Sequence, residues 1–227
     1  MVEPLAMTTP RRHHRVRAVL DRRQGDLTVL MEDVQVPRNL AAILRSCDAV
    51  GVFEAHAVWP GGRLKISRPA SGGTRKWVPV RKHRTLPDAL THLRATGFRV
   101  LAAHPAPAAL DFRAVDYTLP TAVLLGTEET GVTAEAAAAA DGWIAIPMSG
   151  MVTSLNVSVA AALILFEAQR QRQAAGLYET SRLPADTYAR TLFEWTYPKL
   201  AAYCRRKKVP YPPLGEDGEI LGEIPRS

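Results

Sequence analysis

The chain has 227 residues and is 47% hydrophobic, which suits one α/β domain with a sizeable core and argues against bulk disorder. Its two cysteines, Cys47 and Cys204, have no metal-ligand spacing, so a zinc site and a disulfide scaffold are disfavoured and a reducing compartment is expected. The formal charge of +7 is uneven, because residues 101–168 carry −6 and the rest +13, and this favours a polyanionic partner over a merely solvated basic surface.

No targeting or membrane-spanning segment is predicted. The sequence passes from Met1 into an arginine cluster with no apolar stretch between them, unlike a secretory signal peptide. The most apolar run, residues 157–166, is too short to cross a bilayer. We therefore expect a cytoplasmic protein that does not enter a membrane.

Strand and helix signals alternate along the chain, after a basic helix predicted at residues 10–24. In the first half, the pattern predicts strands at 27–34, 53–59 and 77–80 and helices at 39–50 and 86–95. In the second half, it predicts strands at 98–103, 121–125 and 143–146 and helices at 134–140, 155–175 and 186–207. Such alternation is typical of a mainly parallel sheet covered by helices on both faces.

The predicted organisation is one α/β domain with a helical appendage at each end. Residues 1–26 form a basic N-terminal arm, residues 27–176 form the α/β domain, and residues 177–227 form a C-terminal helix and a loose tail. Both appendages carry clustered basic side chains, so a polyanionic partner is expected to contact each of them.

The first candidate segment is residues 37–45, at the start of the second predicted helix. Asn39 is placed to cap that helix and Arg45 follows six residues later, so both side chains are expected on one side of it. An arginine in an otherwise apolar stretch usually has an anionic partner. The alternative is structural, with Asn39 as an N-cap and Arg45 as a surface residue.

The second candidate segment, residues 125–131, follows a predicted strand and contains Gly126 and Gly131. Glycines in this position let a ligand approach the backbone closely, although such turns are common. The segment lacks the G-x-G-x-x-G pattern of dinucleotide-binding proteins, which disfavours a nucleotide-dependent oxidoreductase. Glu128 and Glu129 have an alternative interpretation, since acidic residues stabilise the start of a following helix.

The third candidate segment, residues 146–158, joins a predicted strand to the long helix. Its turn of Pro, Met, Ser, Gly and Met at residues 147–151 could wrap a flat or thioether-bearing ligand. Ser154 is predicted to cap the helix, with Asn156 in the first turn beside exposed backbone N–H groups. A tight loop followed by a capped helix is the structural alternative.

In their order and separation, the three segments resemble the motifs of the SPOUT family of RNA methyltransferases, in particular its TrmH-type 2′-O-methyltransferase branch. The resemblance covers residues 27–172. It implies an α/β fold with a Rossmann-like, mostly parallel sheet whose C-terminal part forms a deep trefoil knot, flanked by basic helices. It also implies S-adenosylmethionine as the cofactor, a homodimer as the assembly, and no obligate metal.

The resemblance to tRNA-modifying members implies 2′-O-methylation of tRNA, with the D-loop guanosine at position 18 as the expected target. Only about 26 residues precede the first predicted strand, which disfavours the extra N-terminal RNA-binding domain of many members that modify ribosomal RNA. Two alternatives stay open: another ribose of tRNA or ribosomal RNA, and a non-catalytic RNA-binding protein that has kept the fold.

The same resemblance implies roles for individual residues. The catalytic candidates are Arg45, Asn39, Glu128 and Asn156. Arg45 is expected to hydrogen-bond the RNA phosphate and the 2′-oxygen rather than act as a base, because a guanidinium keeps its proton. The expected cofactor-binding residues are Ala103, His104, Leu125, Gly126, Glu128, Gly131, Ile146, Met148, Met151, Ser154 and Leu155. The expected RNA-binding residues are Arg11, Arg12, Arg15, Arg23, Arg38, Arg75, Lys76, Arg170 and Arg172.

Overall fold

The computed structural model describes residues 8–59, 73–127 and 130–223, without the side chain of Arg75. Two of the candidates above, Glu128 and the Arg75 side chain, therefore lie outside the described residues. The chain divides into two compact units. The core unit is Gln24–Tyr178, and the terminal unit combines residues 8–23 with residues 179–223, so the two helical appendages belong to one unit.

A seven-stranded sheet, with every strand pairing parallel, forms the centre of the core unit. Its strands are β1 (Leu27–Glu32), β2 (Ala55–Val58), β3 (Val80–His83), β4 (Arg99–Ala103), β5 (Leu110–Asp111), β6 (Thr121–Leu125) and β7 (Gly142–Ala145). They lie in the order β3-β2-β1-β6-β4-β7-β5. The predicted parallel α/β sheet is confirmed, and the knot stays a prediction.

Seven α-helices occur in the described residues, and none is long and apolar enough to span a membrane. They are α1 (Pro10–Leu20), α2 (Pro37–Ala49), α3 (Leu86–Ala95), α4 (Ala134–Ala139), α5 (Val157–Ala174), α6 (Ala185–Thr196) and α7 (Pro198–Lys207). Alternate residues of β1 point to opposite faces of the sheet. Val29 and Met31 belong to the apolar cluster that includes α2 and α5, whereas Leu30 belongs to the cluster that includes α3 and α4.

Two predicted helix caps are wrong. Helix α2 begins at Pro37, with Val36 in the cap position, so Asn39 lies inside the first turn. Proline suits that first position because its missing N–H would have no helical partner there. Helix α5 is capped by Asn156, whose side-chain oxygen accepts from the Ser158 N–H at 2.9 Å, and Ser154 lies before the cap.

Two predicted elements also differ from the structure. The strand expected at residues 77–80 is replaced by a 3₁₀ turn at Thr74–Lys76, and β3 begins only at Val80. The helix expected at 186–207 is two helices, α6 and α7, separated at Tyr197. Pro198, which cannot donate a backbone hydrogen bond, begins the second of them.

In the terminal unit, α1 packs against α6, and an aromatic cluster joins α6 and α7 to the C-terminal tail. Phe193 stacks on Tyr211 with ring centroids 4.6 Å apart. The Tyr197 hydroxyl donates to the Gly218 carbonyl at 2.8 Å. The tail was expected to be loose, but Val209, Tyr211, Leu214 and Ile220 pack against the aromatic cluster, while residues 221–223 are exposed.

Candidate active site

A cavity of about 410 Å³ opens at the carboxyl ends of β4, β6 and β7. Open parallel sheets bind ligands at this edge, where the loops after the strands converge. Segments following all three strands line it, together with residues 153–155 and the first turns of α5.

Nine of the predicted cofactor-binding residues share this cavity. They are Ala103, His104, Leu125, Gly126, Gly131, Ile146, Met148, Ser154 and Leu155. Met151 does not belong to the lining, because its side chain is 100% exposed to solvent, so its assignment needs correction. The turn at residues 147–151 therefore contributes one methionine to the cavity rather than two.

Sequence reasoning missed three threonines of the lining, Thr127, Thr130 and Thr153. The Thr127 and Thr130 hydroxyl oxygens lie 2.8 Å apart, and Thr127 Oγ1 also accepts the Thr130 N–H at 3.0 Å. Both fall between the two glycines of the second segment. The sequence signal that could have identified them is their position between two glycines. Where the backbone comes close to a ligand, a small hydroxyl side chain can hydrogen-bond to that ligand without blocking it.

A side-chain hydrogen bond joins the first and third candidate segments. The Asn156 amide donates to the Asn39 side-chain oxygen at 3.1 Å. The oxygen of Asn156 is meanwhile held by the Ser158 N–H at 2.9 Å and the Ser158 hydroxyl at 2.6 Å. This arrangement fixes the Asn156 amide and orients Asn39 at the start of α2.

Arg45 is an exposed residue of α2 that makes no hydrogen bond or ion pair with the described part of the chain. Six residues of helix separate it from Asn39 by about 9 Å along the axis and about 120° around it. The expectation that both side chains lie on one side of the helix is therefore wrong. The free guanidinium is nevertheless available to an external anion.

The structure divides the predicted RNA-binding residues into exposed and buried groups. The exposed ones are Arg11, Arg12, Arg15, Arg38, Lys76 and Arg170, the last paired with Glu167 at 2.7 Å. Arg23 and Arg172 are 1% and 0% exposed, so neither can meet a phosphate at the surface, and both assignments are corrected. The Arg23 guanidinium instead lies over the Trp195 ring, 5.3 Å from its centroid.

Arg172 is a structural residue of the core unit. Its guanidinium donates to the Asp26 carboxylate at 2.6 Å, to the Gln24 side chain at 2.8 Å and to the Tyr117 carbonyl at 2.9 Å. These bonds attach the last turn of α5 to the segment that leads into β1. A buried cation needs such a set of acceptors to offset its lost hydration.

Among the described residues, no group of three or more His, Cys, Asp or Glu side chains is arranged to hold a metal ion. His56 and His83 come closest, with their ring centroids 5.3 Å apart and His56 Nδ1 3.0 Å from His83 Nε2. The distance between the ring centroids is about the nitrogen–nitrogen distance plus the radius of each ring. The two nitrogens therefore lie on the line between the ring centres and point at each other. They form an N–H···N hydrogen bond rather than a ligand pair.

The family model described as the SpoU rRNA Methylase family matches residues 26–166, and the model described as SpoU, rRNA methylase, C-terminal matches residues 170–223. The chain belongs to the SpoU methylase family. These matches cover most of the sequence and include all three candidate segments. The family resemblance drawn from the motifs is confirmed.

Relatives and solved structures agree with this assignment. The chain is 54% identical over 213 residues to the tRNA (guanosine(18)-2′-O)-methyltransferase of Escherichia coli strain K12, covering 93% of each protein. It is similar to the TrmH/SpoU tRNA modifying enzyme of A. aeolicus, with a TM-score of 0.77, 40% identity and coverage of 83% and 96%. It is also similar to an AdoMet-bound rRNA methyltransferase from Sinorhizobium meliloti, with a TM-score of 0.60, 29% identity and coverage of 68% and 59%.

Proposed function

We propose that this protein transfers a methyl group from S-adenosylmethionine to the ribose 2′-oxygen of guanosine 18 in the D-loop of tRNA. The observation that carries the proposal is the convergence of the second and third candidate segments on one cavity, with the first joined to the third by the Asn39–Asn156 hydrogen bond, in a chain 54% identical to a tRNA (guanosine(18)-2′-O)-methyltransferase. The family supplies the reaction type, and the relative's name supplies the nucleotide.

The cavity suits S-adenosylmethionine in size and lining. Its volume of about 410 Å³ lies within the usual range for small-molecule sites. Leu125, Ile146 and Leu155 offer apolar surface to a flat base, while the threonine hydroxyls and the backbone beside Gly126 offer polar contacts. When bound, S-adenosylmethionine supplies an electrophilic methyl group, and this lining would orient it.

Arg45 stabilises the reacting oxygen in this proposal. The ribose hydroxyl is a poor nucleophile until its proton leaves, and charge develops on the oxygen as that happens. A guanidinium at that position donates hydrogen bonds to the 2′-oxygen and to an adjacent RNA phosphate, and it stabilises the charge where water is excluded. Asn39 and Asn156, held by their mutual hydrogen bond, position the ribose.

The tRNA contacts are proposed on exposed basic side chains, since phosphate contacts dominate affinity for nucleic acid. In the core unit these are Arg38, Lys76 and Arg170. In the terminal unit they are Arg11, Arg12, Arg15, Arg17, Arg22, Arg205, Arg206, Lys207 and Lys208. A tRNA substrate also accords with a cytoplasmic location, which belongs to the proposal.

A homodimer with a trefoil-knotted core belongs to the same proposal. Helix α5 exposes Val159, Leu163 and Phe166, with 47%, 42% and 50% of their surface accessible, at a spacing that aligns them on one face. An exposed apolar stripe of this kind favours burial against a second copy. Sedimentation analysis tests it, because Leu163→Glu is expected to give monomers, whereas Glu135→Gln on α4 is expected to leave the assembly unchanged.

The experiment that tests the activity is nucleoside mapping of an unmodified tRNA transcript after incubation with enzyme and S-adenosylmethionine. The expected product is 2′-O-methylguanosine at position 18, absent when the transcript carries 2′-deoxyguanosine there. Methylation of another ribose would transfer the proposal to that nucleotide. No methylated ribose in tRNA or ribosomal RNA would leave a non-catalytic RNA-binding protein.

The proposed role of Arg45 predicts that even lysine cannot replace it. Arg45→Lys keeps the charge but loses the planar, bidentate geometry, so kcat is expected to fall by about 100-fold or more. Arg113→Lys is the control, because Arg113 is an exposed arginine paired with Asp111. Single-turnover methyl transfer measures the effect, and near-normal turnover of Arg45→Lys would contradict the mechanism.

A further inference from the structure

Glu32 is an acidic residue at the buried end of β1, outside all three motif segments. It is only 7% exposed. Its neighbour Met31 pairs with Leu125, the last residue of β6, so Glu32 lies beside the start of the 126–133 loop. That loop supplies Gly126, Thr127, Thr130 and Gly131 to the cavity.

Both carboxylate oxygens of Glu32 accept hydrogen bonds from Thr133, at the far end of the same loop. The Thr133 N–H donates to one oxygen at 3.0 Å, and the Thr133 hydroxyl donates to the other at 2.7 Å. The same hydroxyl oxygen accepts the Ala136 N–H at 3.1 Å and so caps α4. Glu32 therefore fixes the rotamer of Thr133 and the position of its backbone together.

The described residues between β6 and Thr133 come close together on the two sides of positions 128–129. Thr127 and Gly131 exchange two backbone hydrogen bonds of 2.9 and 3.1 Å. A Cβ on Gly126 would lie 2.0 Å from the Gly131 backbone, so the two strands of the loop touch there. Any displacement of Thr133 is consequently passed to Gly131, which lines the cavity.

We propose that Glu32 is a positioning residue that holds residues 130–133, and with them the cavity-lining residues Thr130 and Gly131, in their cofactor-binding position. It does so by anchoring Thr133, while β6 anchors the other end of the loop. The inference rests on the proposed S-adenosylmethionine-dependent activity. A carboxylate accepts from both Thr133 groups and makes both bonds charge-assisted, whereas the amide of glutamine accepts at only one of its two ends and makes neutral bonds.

The first test measures binding of S-adenosylhomocysteine by calorimetry. Glu32→Gln is expected to raise its Kd by roughly tenfold, since two charge-assisted hydrogen bonds become neutral and one of the two Thr133 donors loses its acceptor. The matched control is Glu135→Gln, which removes the same charge from an exposed site in the first turn of α4. Thr133→Ser keeps both donors and is expected to bind as the parent chain does.

The second test asks whether Glu32 acts through Thr133. In the background of Thr133→Val, which removes the hydroxyl but keeps the N–H, Glu32→Gln is expected to raise the Kd by less than in the parent chain. Without ligand, amide hydrogen exchange of residues 126–137 is expected to accelerate in Glu32→Gln and not in Glu135→Gln. The KM for tRNA is expected to stay unchanged.

An unchanged Kd and unchanged exchange in a folded Glu32→Gln protein would overturn the inference, as would an equal effect of Glu32→Gln in both backgrounds. If Glu32→Gln fails to fold, Thr133→Val alone decides between the same outcomes. Failure of the proposed function looks different, because the parent chain would then bind S-adenosylhomocysteine and leave tRNA unmethylated.

Discussion

The core unit, residues 24–178, is nearly neutral, with 13 acidic and 15 basic side chains. The terminal unit, residues 8–23 and 179–223, has eight acidic and 13 basic side chains in less than half that length. The core unit also holds the cavity and the Asn39–Asn156 pair. Methyl transfer needs fixed geometry, which a packed sheet provides, while attraction of RNA needs charge at an accessible surface. We therefore expect the core unit to carry the chemistry and the terminal unit to supply a large part of the affinity for tRNA.

The largest expected effect concerns Arg172, whose burial assigns it to stability rather than to RNA. Arg172→Ala removes a buried guanidinium that bonds the Asp26 carboxylate, the Gln24 side chain and the Tyr117 carbonyl, so the free energy of unfolding is expected to fall by about 3–5 kcal/mol. Arg170→Ala, two residues away on the same helix, removes an exposed ion pair and is expected to change the stability little. Urea denaturation measures both.

A stable Arg172→Ala protein with weakened tRNA binding would reverse this assignment. It would mean that the core unit contributes a phosphate contact at a side chain that is 0% exposed. The Arg170 variant serves as the internal reference, because its guanidinium is accessible to RNA and its loss is expected to affect tRNA affinity alone.

The second prediction concerns the packing of the tail in the terminal unit. Gly218 has φ +83°, and a Cβ there would lie 2.4 Å from the His13 ring; Gly222 has φ +89° with open space around it. Gly222→Ala is expected to cost at most about 1–2 kcal/mol from backbone strain, and Gly218→Ala about 1–3 kcal/mol more from the clash. Equal effects would mean that the tail does not pack on α1.

Hydrogen exchange of α1 and α6 measures this difference without interference from the core unit. Faster exchange at Val16 and Phe193 in Gly218→Ala, compared with Gly222→Ala, is the expected result. The cavity segments are expected to keep their protection in both variants, since they belong to the other unit.

Local patterns predicted the sheet and most of the cavity, because those depend on short stretches of sequence. Thr121–Leu125 was predicted with its observed bounds, since a β-branched threonine and four apolar residues lie between a proline and a glycine. The break between α6 and α7 was also readable from Pro198, but the helical periodicity on both sides concealed it. The predicted start of α2 was two residues too late, because Asn39 was preferred as the start signal over Pro37. The predicted start of α5 was two residues too early, because Ser154 was preferred as the cap over Asn156.

Contacts between distant parts of the chain could not be predicted from one sequence. Arg172 read as an exposed basic residue because its acceptors, Gln24 and Asp26, lie 148 and 146 residues away. Glu32 was overlooked because its partner Thr133 is 101 residues away. A charged residue at the end of an apolar strand was the only local signal. These residues need the fold before their roles become visible.

The third prediction concerns tRNA affinity and the charge of α1. Arg11 and Arg15 lie one turn apart on α1 and Arg22 follows the end of this helix. All three are exposed, so the triple alanine variant is expected to weaken tRNA binding by roughly tenfold or more. If all three contact phosphates, the slope of log K against log salt falls by roughly 2–3. Filter binding at several salt concentrations measures both quantities.

Chemistry at saturating tRNA should survive this change, and that outcome separates the two units functionally. The kcat of the triple variant and its Kd for S-adenosylhomocysteine are expected to match those of the parent chain. A fall in kcat with unchanged affinity would mean that α1 takes part in the reaction. Arg182→Ala, a single exposed arginine of the same unit outside α1, is the control for general charge loss.

The smallest predicted effect is a loss of stability in mild acid that originates in the core unit. Burial, together with His83, His92 and Arg81, lowers the pKa of His56 to about 3. Below the unfolded pKa of about 6.5, the unfolded chain binds a proton that the native chain refuses, so stability present at neutral pH is lost as the pH falls. Between pH 7 and 5.5 this amounts to about 1 kcal/mol.

His56→Leu is expected to lower stability at pH 7, because His83 loses its hydrogen-bond partner, yet to flatten the dependence on pH. Urea titrations at pH 5.5 and 7 compare the two proteins, and an unaltered slope in His56→Leu would assign the acid sensitivity to groups other than His56.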